Sequence, residues 1–187
     1  MNKKLPNGWK EVRLGEVCQE IKEKNKGKTN LVLSISNKYG FIKPEEQFPK
    51  QVASDDISNY KICYRNNFAY NPARINVGSI AILLKFDICA VSPMYVVFNV
   101  QDSRLNVNYF NHILQTSKIK QFFINNNKGS VRNNISYETF SKFNLSLPPL
   151  ETQKEIASSL NKINGIAFRK RQYKYYLNKL LDYKNYE

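Results

Sequence analysis

Pro148 and Pro149 divide this chain into two parts that obey different rules. Proline has no amide hydrogen and a fixed φ, so it neither continues a strand ladder nor sits inside a helix, but it pre-sets the backbone to enter one. No proline follows the pair as far as Glu187. Thr152 and Glu155 stand at the spacing of a capping box. Apolar residues then recur at Ile156, Leu160 and Ile163, and again at Ile166, Tyr173, Leu177 and Leu180. Steps of three, four and seven lay a stripe along one helix. The two runs fall out of phase near Gly165, as at a break in a coiled-coil repeat. About 35 helical residues would span roughly 50 Å, more than the diameter of a small domain. A helix of that length is expected to have a partner.

The 187 residues accommodate one domain, residues 1–148, followed by a helical appendage, residues 149–187. With 42% apolar and 13% aromatic residues, the first part can bury a substantial core. Against 15 Asp and Glu stand 29 Lys and Arg, a formal net charge of +14 that both parts share. Such an excess points to a polyanion, most often nucleic acid, or to an anionic membrane surface. The alternative is a lysine-rich surface that only keeps the protein soluble. No apolar run is long enough to cross a bilayer, and the first residues lack the apolar core of a secretion signal, so a cytoplasmic location without membrane contact is expected.

Cys18, Cys63 and Cys89 are far apart and odd in number, which reads as buried, reduced thiols. His112 is the only histidine, and its neighbours Tyr109, Phe110, Ile113 and Leu114 suggest an ordinary helix position. Metal and cofactor sites are therefore not expected. Adjacent Asp55 and Asp56 have no third ligand nearby in sequence and suit a loop or helix start.

The order of elements reads as α+β, strands first, then helices, then one strand. Alternation over residues 8–14 opens the chain, and Leu14 to Ile21 reads as a short amphipathic helix. Lys22 to Lys28 is a charged connector or a basic loop beside DNA. Leu31 to Ile35 is a strand candidate, and residues 44–59 are polar and irregular. Residues 67–100 carry the strongest strand signal, a hairpin-rich run broken at Asp87 and at Ser92-Pro93. Two helices are expected over 106–117 and 119–125. Ser136 is placed to cap a third, and Phe143 to Leu147 is a last strand.

Asn71-Pro72 resembles the start of the Asn-Pro-Pro-aromatic loop of adenine methyltransferases, but Ala73 and Arg74 occupy its last two places. No Gly-rich loop follows an early strand to seat a methyl donor, and no carboxylate cluster suits nuclease chemistry. Binding features are better formed. Arg74, Asn76 and Ser79 surround one glycine loop, and Lys128, Ser130, Arg132 and Asn133 surround another. Small residues let backbone N–H groups approach a phosphate, while Arg, Ser and Asn donate to it. Arg and Asn also read base edges best. The competing reading has Arg74 and Arg132 anchoring loops to the domain's own carbonyls.

Five motifs in order, Gly8-Trp9 to Gly15, Phe68 to Ile80, Val91 to Tyr95, Gly129 to Ser136, and Leu147-Pro-Pro-Leu150 with Gln153 and Ile156, resemble the DNA specificity subunit of type I restriction–modification systems. Such subunits usually carry two target recognition domains, each followed by a long helix; the helices pack antiparallel and dock methyltransferase subunits. With one domain and one helix, this chain resembles a half-subunit. The resemblance implies a non-catalytic subunit without cofactor that binds double-stranded DNA. A second copy would join through an antiparallel coiled coil and restore the two-domain arrangement over an inverted repeat. A methyltransferase subunit and, through it, a restriction subunit would be directed to that bipartite site. The motif-matching loops would hold phosphates, and base choice would fall to residues 22–30, 36–60 and 101–108. Gln153 and residues 156–163 would face the partner helix or the methyltransferase. The alternative is a decoy that occupies the methyltransferase subunit without directing it.

Overall fold

The computed structural model describes residues 5–47, 56–126 and 134–183. Strands β1 (Lys10–Arg13) and β2 (Cys18–Ile21) flank the one-turn helix α1 (Leu14–Val17). Strands β3 (Ser34–Ser36) and β4 (Gly40–Ile42) form a hairpin before helix α2 (Pro44–Gln47). Then come β5 (Lys61–Tyr64), β6 (Phe68–Tyr70), a 3-10 turn at Ile75–Val77, β7 (Ile80–Ile82), β8 (Ile88–Val91) and β9 (Val96–Val100). Helices α3 (Val107–Ile113), α4 (Ser117–Asn126) and α5 (Tyr137–Ser141) precede β10 (Asn144–Leu147) and the long helix α6 (Leu150–Tyr183).

A four-stranded antiparallel sheet in the order β2-β9-β6-β7 lies at the centre. Both of its faces are buried, which is why Phe68-Ala-Tyr70 reads as a continuous apolar run. Alternation sends Phe68, Tyr70 and Phe98 into a large aromatic cluster with Phe110, Phe123 and Phe140. It sends Ala69 and Val97 into a second cluster with Leu33, Cys63, Cys89 and Val91, roofed by the β5–β8 pair. Most of the aromatic rings meet edge to face, as for Tyr70 and Phe140 at 5.8 Å and 89°, while Phe68 and Phe98 stack at 5.3 Å and 20°.

Several expectations change at element ends. Leu14 to Ile21 is not one helix: Leu14 and Val17 are buried by a single turn, then Cys18 turns extended at φ −126° and pairs with Val100. A lone amphipathic turn cannot compete with a sheet edge that satisfies its backbone groups. The expected strand at 31–35 shortens to β3, and β4 and β5 emerge from stretches that carried little alternation. The α3 and α4 helices, the Ser136 cap, which accepts from the Thr139 amide at 3.2 Å, and β10 lie where the sequence places them.

Strand β10 pairs antiparallel with β1, so the last strand before the prolines closes against the first of the chain. Gly8, at φ +79°, lies where a Cβ would stand 3.3 Å from the Pro149 ring, so both its conformation and the space around it suit glycine alone. Helix α6 starts at Leu150, directly after the prolines, and the Gln153 amide bonds the Pro149 carbonyl at 3.0 Å. Thr152 and Glu155 are thus already helical, and the capping box does not form.

The first turns of α6 belong to the domain. Gln153 is 1% exposed and turned inward, not toward a partner helix or a methyltransferase subunit as the resemblance implied. Its Oε1 accepts from the Asn106 amide at 2.9 Å, and its Nε2 donates to the carbonyls of Arg104 at 2.8 Å and Pro148 at 2.9 Å. Ala157 is buried, Ile156 packs against the same core, and His112 Nε2 lies 2.8 Å from Asn161 Oδ1. Beyond that point the helix leaves the domain: Ile163, Ile166 and Phe168 are 59%, 47% and 59% exposed. The phase shift near Gly165 therefore coincides with a change of surroundings, in a helix that runs through it unbroken. The side chains of Tyr173, Leu177 and Leu180 lie outside the described residues.

Replacing Gln153 with Ala would leave two carbonyls and one amide of the domain without partners, and should lower stability by about 2–4 kcal/mol in urea titration. The thiols supply a second check. Cys18, Cys63 and Cys89 are all buried and free. Burial pushes the Cys18 thiol up to about 12, and a hydrogen bond with Cys89 together with burial pushes Cys63 up. A thiol reagent at pH 8 should label none of the three quickly in the native chain and all three in urea.

Candidate nucleic-acid interface

The loop between β6 and β7 is built by its own hydrogen bonds. Asn71 Oδ1 accepts from the Ala73 amide at 3.0 Å, capping the turn rather than presenting an amide to a flipped base. The Arg74 amide bonds Asn71 O at 2.9 Å, and Arg74 O accepts from Ser79 at 3.1 Å. Ile75 is the buried anchor, and Gly78 at φ +89° closes the 3-10 turn onto Ile75 O at 3.0 Å. Ser79 is 5% exposed, and its hydroxyl donates to Ile35 O at 3.1 Å. Ser79 thus ties the loop to β3 and is part of its frame. Arg74 and Asn76 remain exposed.

The side chain of Arg74 has no hydrogen-bond or ion-pair partner among the described residues. Arg65 and Arg104 differ: Arg65 Nε donates to Asp87 at 2.8 Å, and Arg104 forks onto Asp102 with bonds of 2.8–3.0 Å. For Arg74, then, the reading as an anchor on the domain's own carbonyls finds no support among those residues.

The second glycine loop, with Lys128, Ser130, Arg132 and Asn133, lies outside the described residues. Its exit is nonetheless fixed beside the first. The Ile135 amide bonds Pro72 O at 3.1 Å, and the buried Tyr70 hydroxyl donates to Ile135 O at 3.1 Å. Two segments some sixty residues apart in sequence are thus joined at one end of the central sheet.

A cleft of about 640 Å³ opens beside this loop, between the β3–β4 turn, the 3-10 turn and β7 on one side and the α3–α4 junction on the other. Asn37, Lys38, Asn76, Asn111, Gln115 and Lys120 line it, and among the described residues no carboxylate does. A small adjoining recess contains Arg74 with Asn37 and Val77. Neither Lys38 nor Lys120 pairs with a carboxylate among the described residues. Without opposing charge, three cations so placed give a positive potential that an exposed phosphate backbone would neutralise. Asn37 and Lys38 fall within the 36–60 segment expected from the sequence, whereas Asn111, Gln115 and Lys120 lie outside every expected segment. A polar i, i+4 pair, Asn111 and Gln115, beside the buried Phe110 and Leu114 was the available signal.

Other candidates have structural employment. In the basic 22–28 loop, Lys28 pairs with Glu23, Lys22 with Glu20 at 3.3 Å, and Lys24 bonds Asn59 Oδ1 at 3.0 Å. Asn25, fully buried, holds the loop through Thr29 and Ile57. In the 101–108 segment, Asp102 holds Arg104, Leu105 is buried and Asn106 caps α3. Asp56 caps a turn by accepting from the Ser58 amide at 2.8 Å, whereas Asp55 lies outside the described residues. Among the described residues no three His, Cys, Asp or Glu side chains group as metal ligands, and no helix is long and apolar enough to cross a membrane.

Residues 6–175 match the family model described as the type I restriction modification DNA specificity domain. The chain belongs to that family. Members supply DNA specificity and are not catalytic. The fold of this specificity chain is that of the HsdS subunit from Thermoanaerobacter tengcongensis, at a TM-score of 0.68 and 18% identity over 91% of the chain. A second solved structure, described as the structural basis of complex assembly and conformational transition of the type I R-M system, gives 0.59 and 22% over 91%. The specificity chain spans less than half of either, 46% and 42% of their lengths. No curated protein matches its sequence.

Arg74→Ala and Lys120→Ala, both at exposed positions without partners among the described residues, should leave the melting temperature unchanged. Each should weaken binding to any duplex alike and lower the slope of log affinity against log salt by about 0.9. Fluorescence anisotropy at several salt concentrations measures both.

Proposed function

We propose that this chain is a half-sized recognition subunit of a type I restriction–modification system, acting on DNA in the cytoplasm as a homodimer. In this reading residues 1–148 read one half-site and residues 149–187 form the spacer and dimerisation helix. The paired domains would direct a methyltransferase subunit, and through it a restriction subunit, to a bipartite site with inverted-repeat halves. The observation that carries the reading is a cleft with no carboxylate among its described lining residues, where Arg74, Lys38 and Lys120 pair with no described carboxylate beside a family motif loop. A decoy that only occupied a methyltransferase would have no use for such a cleft. Arg132, Lys128, Ser130 and Asn133 are proposed to extend the phosphate contacts from the neighbouring loop.

Pairing is supported by the division of α6. Its inner turns bury Gln153 and Ala157 in the domain, while Ile163 and Ile166 stand in solvent. At 100° per residue, Ile163 continues the line of Ile156, about 20° away, past the point where the domain ends, and Ile166 lies roughly 140° around the helix from Gln153. The sequence period continues that stripe through Tyr173, Leu177 and Leu180. A second copy running antiparallel would cover it, with Ile156 and Leu160 at the junction between domain and spacer. The chain alone would carry out no methyl transfer.

Sedimentation at about 10 μM should show a dimer. Ile163→Asp combined with Ile166→Asp should give a monomer with unchanged circular dichroism below the melting transition. A wild-type chain that sediments as a monomer would refute the paired-helix arrangement.

A further inference from the structure

We infer that base choice is carried by the side-chain amides of Asn37, Asn111 and Gln115, and that the half-site contains adenine·thymine pairs where they meet it. The inference rests on the DNA-reading function proposed above. It assigns to one cleft a role that sequence had distributed over three irregular segments, two of which are largely occupied in holding the domain together.

The three amides converge from separate elements. Asn37 comes from the β3–β4 turn, Asn111 from α3 and Gln115 from the turn that follows α3. None is firmly committed. The Asn111 side chain is half-buried and has no hydrogen bond among the described residues. Gln115 Nε2 to Asn111 O and Asn37 Nδ2 to Val77 O are both 3.5 Å, at the limit of a hydrogen bond. A half-buried amide without an internal partner loses hydration and regains nothing until water or a ligand supplies the bond.

Their chemistry distinguishes them from the cations around them. A phosphate offers only acceptors, which Arg74, Lys38 and Lys120 meet as donors. An amide offers one donor group and one acceptor, the complement of adenine's N6 and N7 in the major groove. Val77, 57% exposed on the same wall, is an apolar group of the kind that meets a thymine methyl. Cations toward the backbone and amides toward the base edges give the cleft a division of labour in which affinity and selectivity reside in different side chains.

The 187-residue chain, incubated with a random-sequence duplex library and carried through repeated selection, should enrich a motif containing adenine·thymine pairs. Asn37→Ala, Asn111→Ala and Gln115→Ala should each reduce preference about tenfold at one or two positions. Their affinity for one fixed, unrelated duplex should not change. Lys120→Ala should do the reverse, weakening every duplex with the motif intact. Asn111→Arg should move one position toward guanine, a gain that unfolding cannot imitate. A wild-type motif retained in full by all three alanine variants overturns the amide assignment and leaves DNA reading standing. A wild-type chain that enriches no motif overturns the DNA-reading function, and the assignment falls with it.

Discussion

Burial of the central strands on both faces is the constraint from which the rest of this structure follows. Phe68, Tyr70 and Phe98 need an aromatic layer on one side, supplied by α3, α4 and α5. Ala69 and Val97 need a thinner layer on the other, supplied by β5 and β8. A sheet enclosed in this way can expose function only at its ends and edges. The loop that leaves β6 and the segment that leads into α5 meet at one such end, held by Tyr70 and Pro72 against Ile135. A buried hydroxyl that must find an acceptor thus also ties the approach to α5 to the end of β6.

Rigidity is spent unevenly along the chain. Near the cleft, backbone hydrogen bonds and the buried Ser79 hydroxyl hold the frame, so that Arg74, Asn76 and the amides are free to meet a ligand. At the other end Gln153 serves as a three-bond rivet between α6, the approach to α3 and Pro148. The angle at which the long helix leaves the domain depends on it. In the proposed dimer, a stiff joint at that point would keep the distance between the two domains defined.

Much of this was legible in the residues. The double proline marks the end of the last strand, and the run after it is a single helix. The apolar content of 67–100 yields the central strands, and Ser136 caps the helix it precedes. The family motifs, taken in order, lead to the family that the comparison over residues 6–175 identifies. What failed was local: the Leu14–Ile21 helix, the Thr152 capping box and an outward-facing Gln153. The first gave way to a distant partner, Val100 for Cys18, the second to a helix that already starts beside the prolines, and the third, implied by the resemblance, to Asn106 as the partner of Gln153. Lys120, Asn111 and Gln115 went unnoticed because a polar residue on a helix looks the same whether it faces bulk water or a cleft.

The sequence by itself determined the class of molecule, the strand-rich centre, the late helices, the long helix and the positive charge, because these follow from periodicity, proline and composition, which act locally or in sum. Only the tertiary structure decided which cations lack a partner, which amides share a cleft, and how much of α6 its own domain consumes. Those are properties of residues far apart in the chain. Hence the opening feature, one helical stripe with a fault near Gly165, resolves into two surfaces of a continuous helix, the first facing its own domain and the second left in solvent.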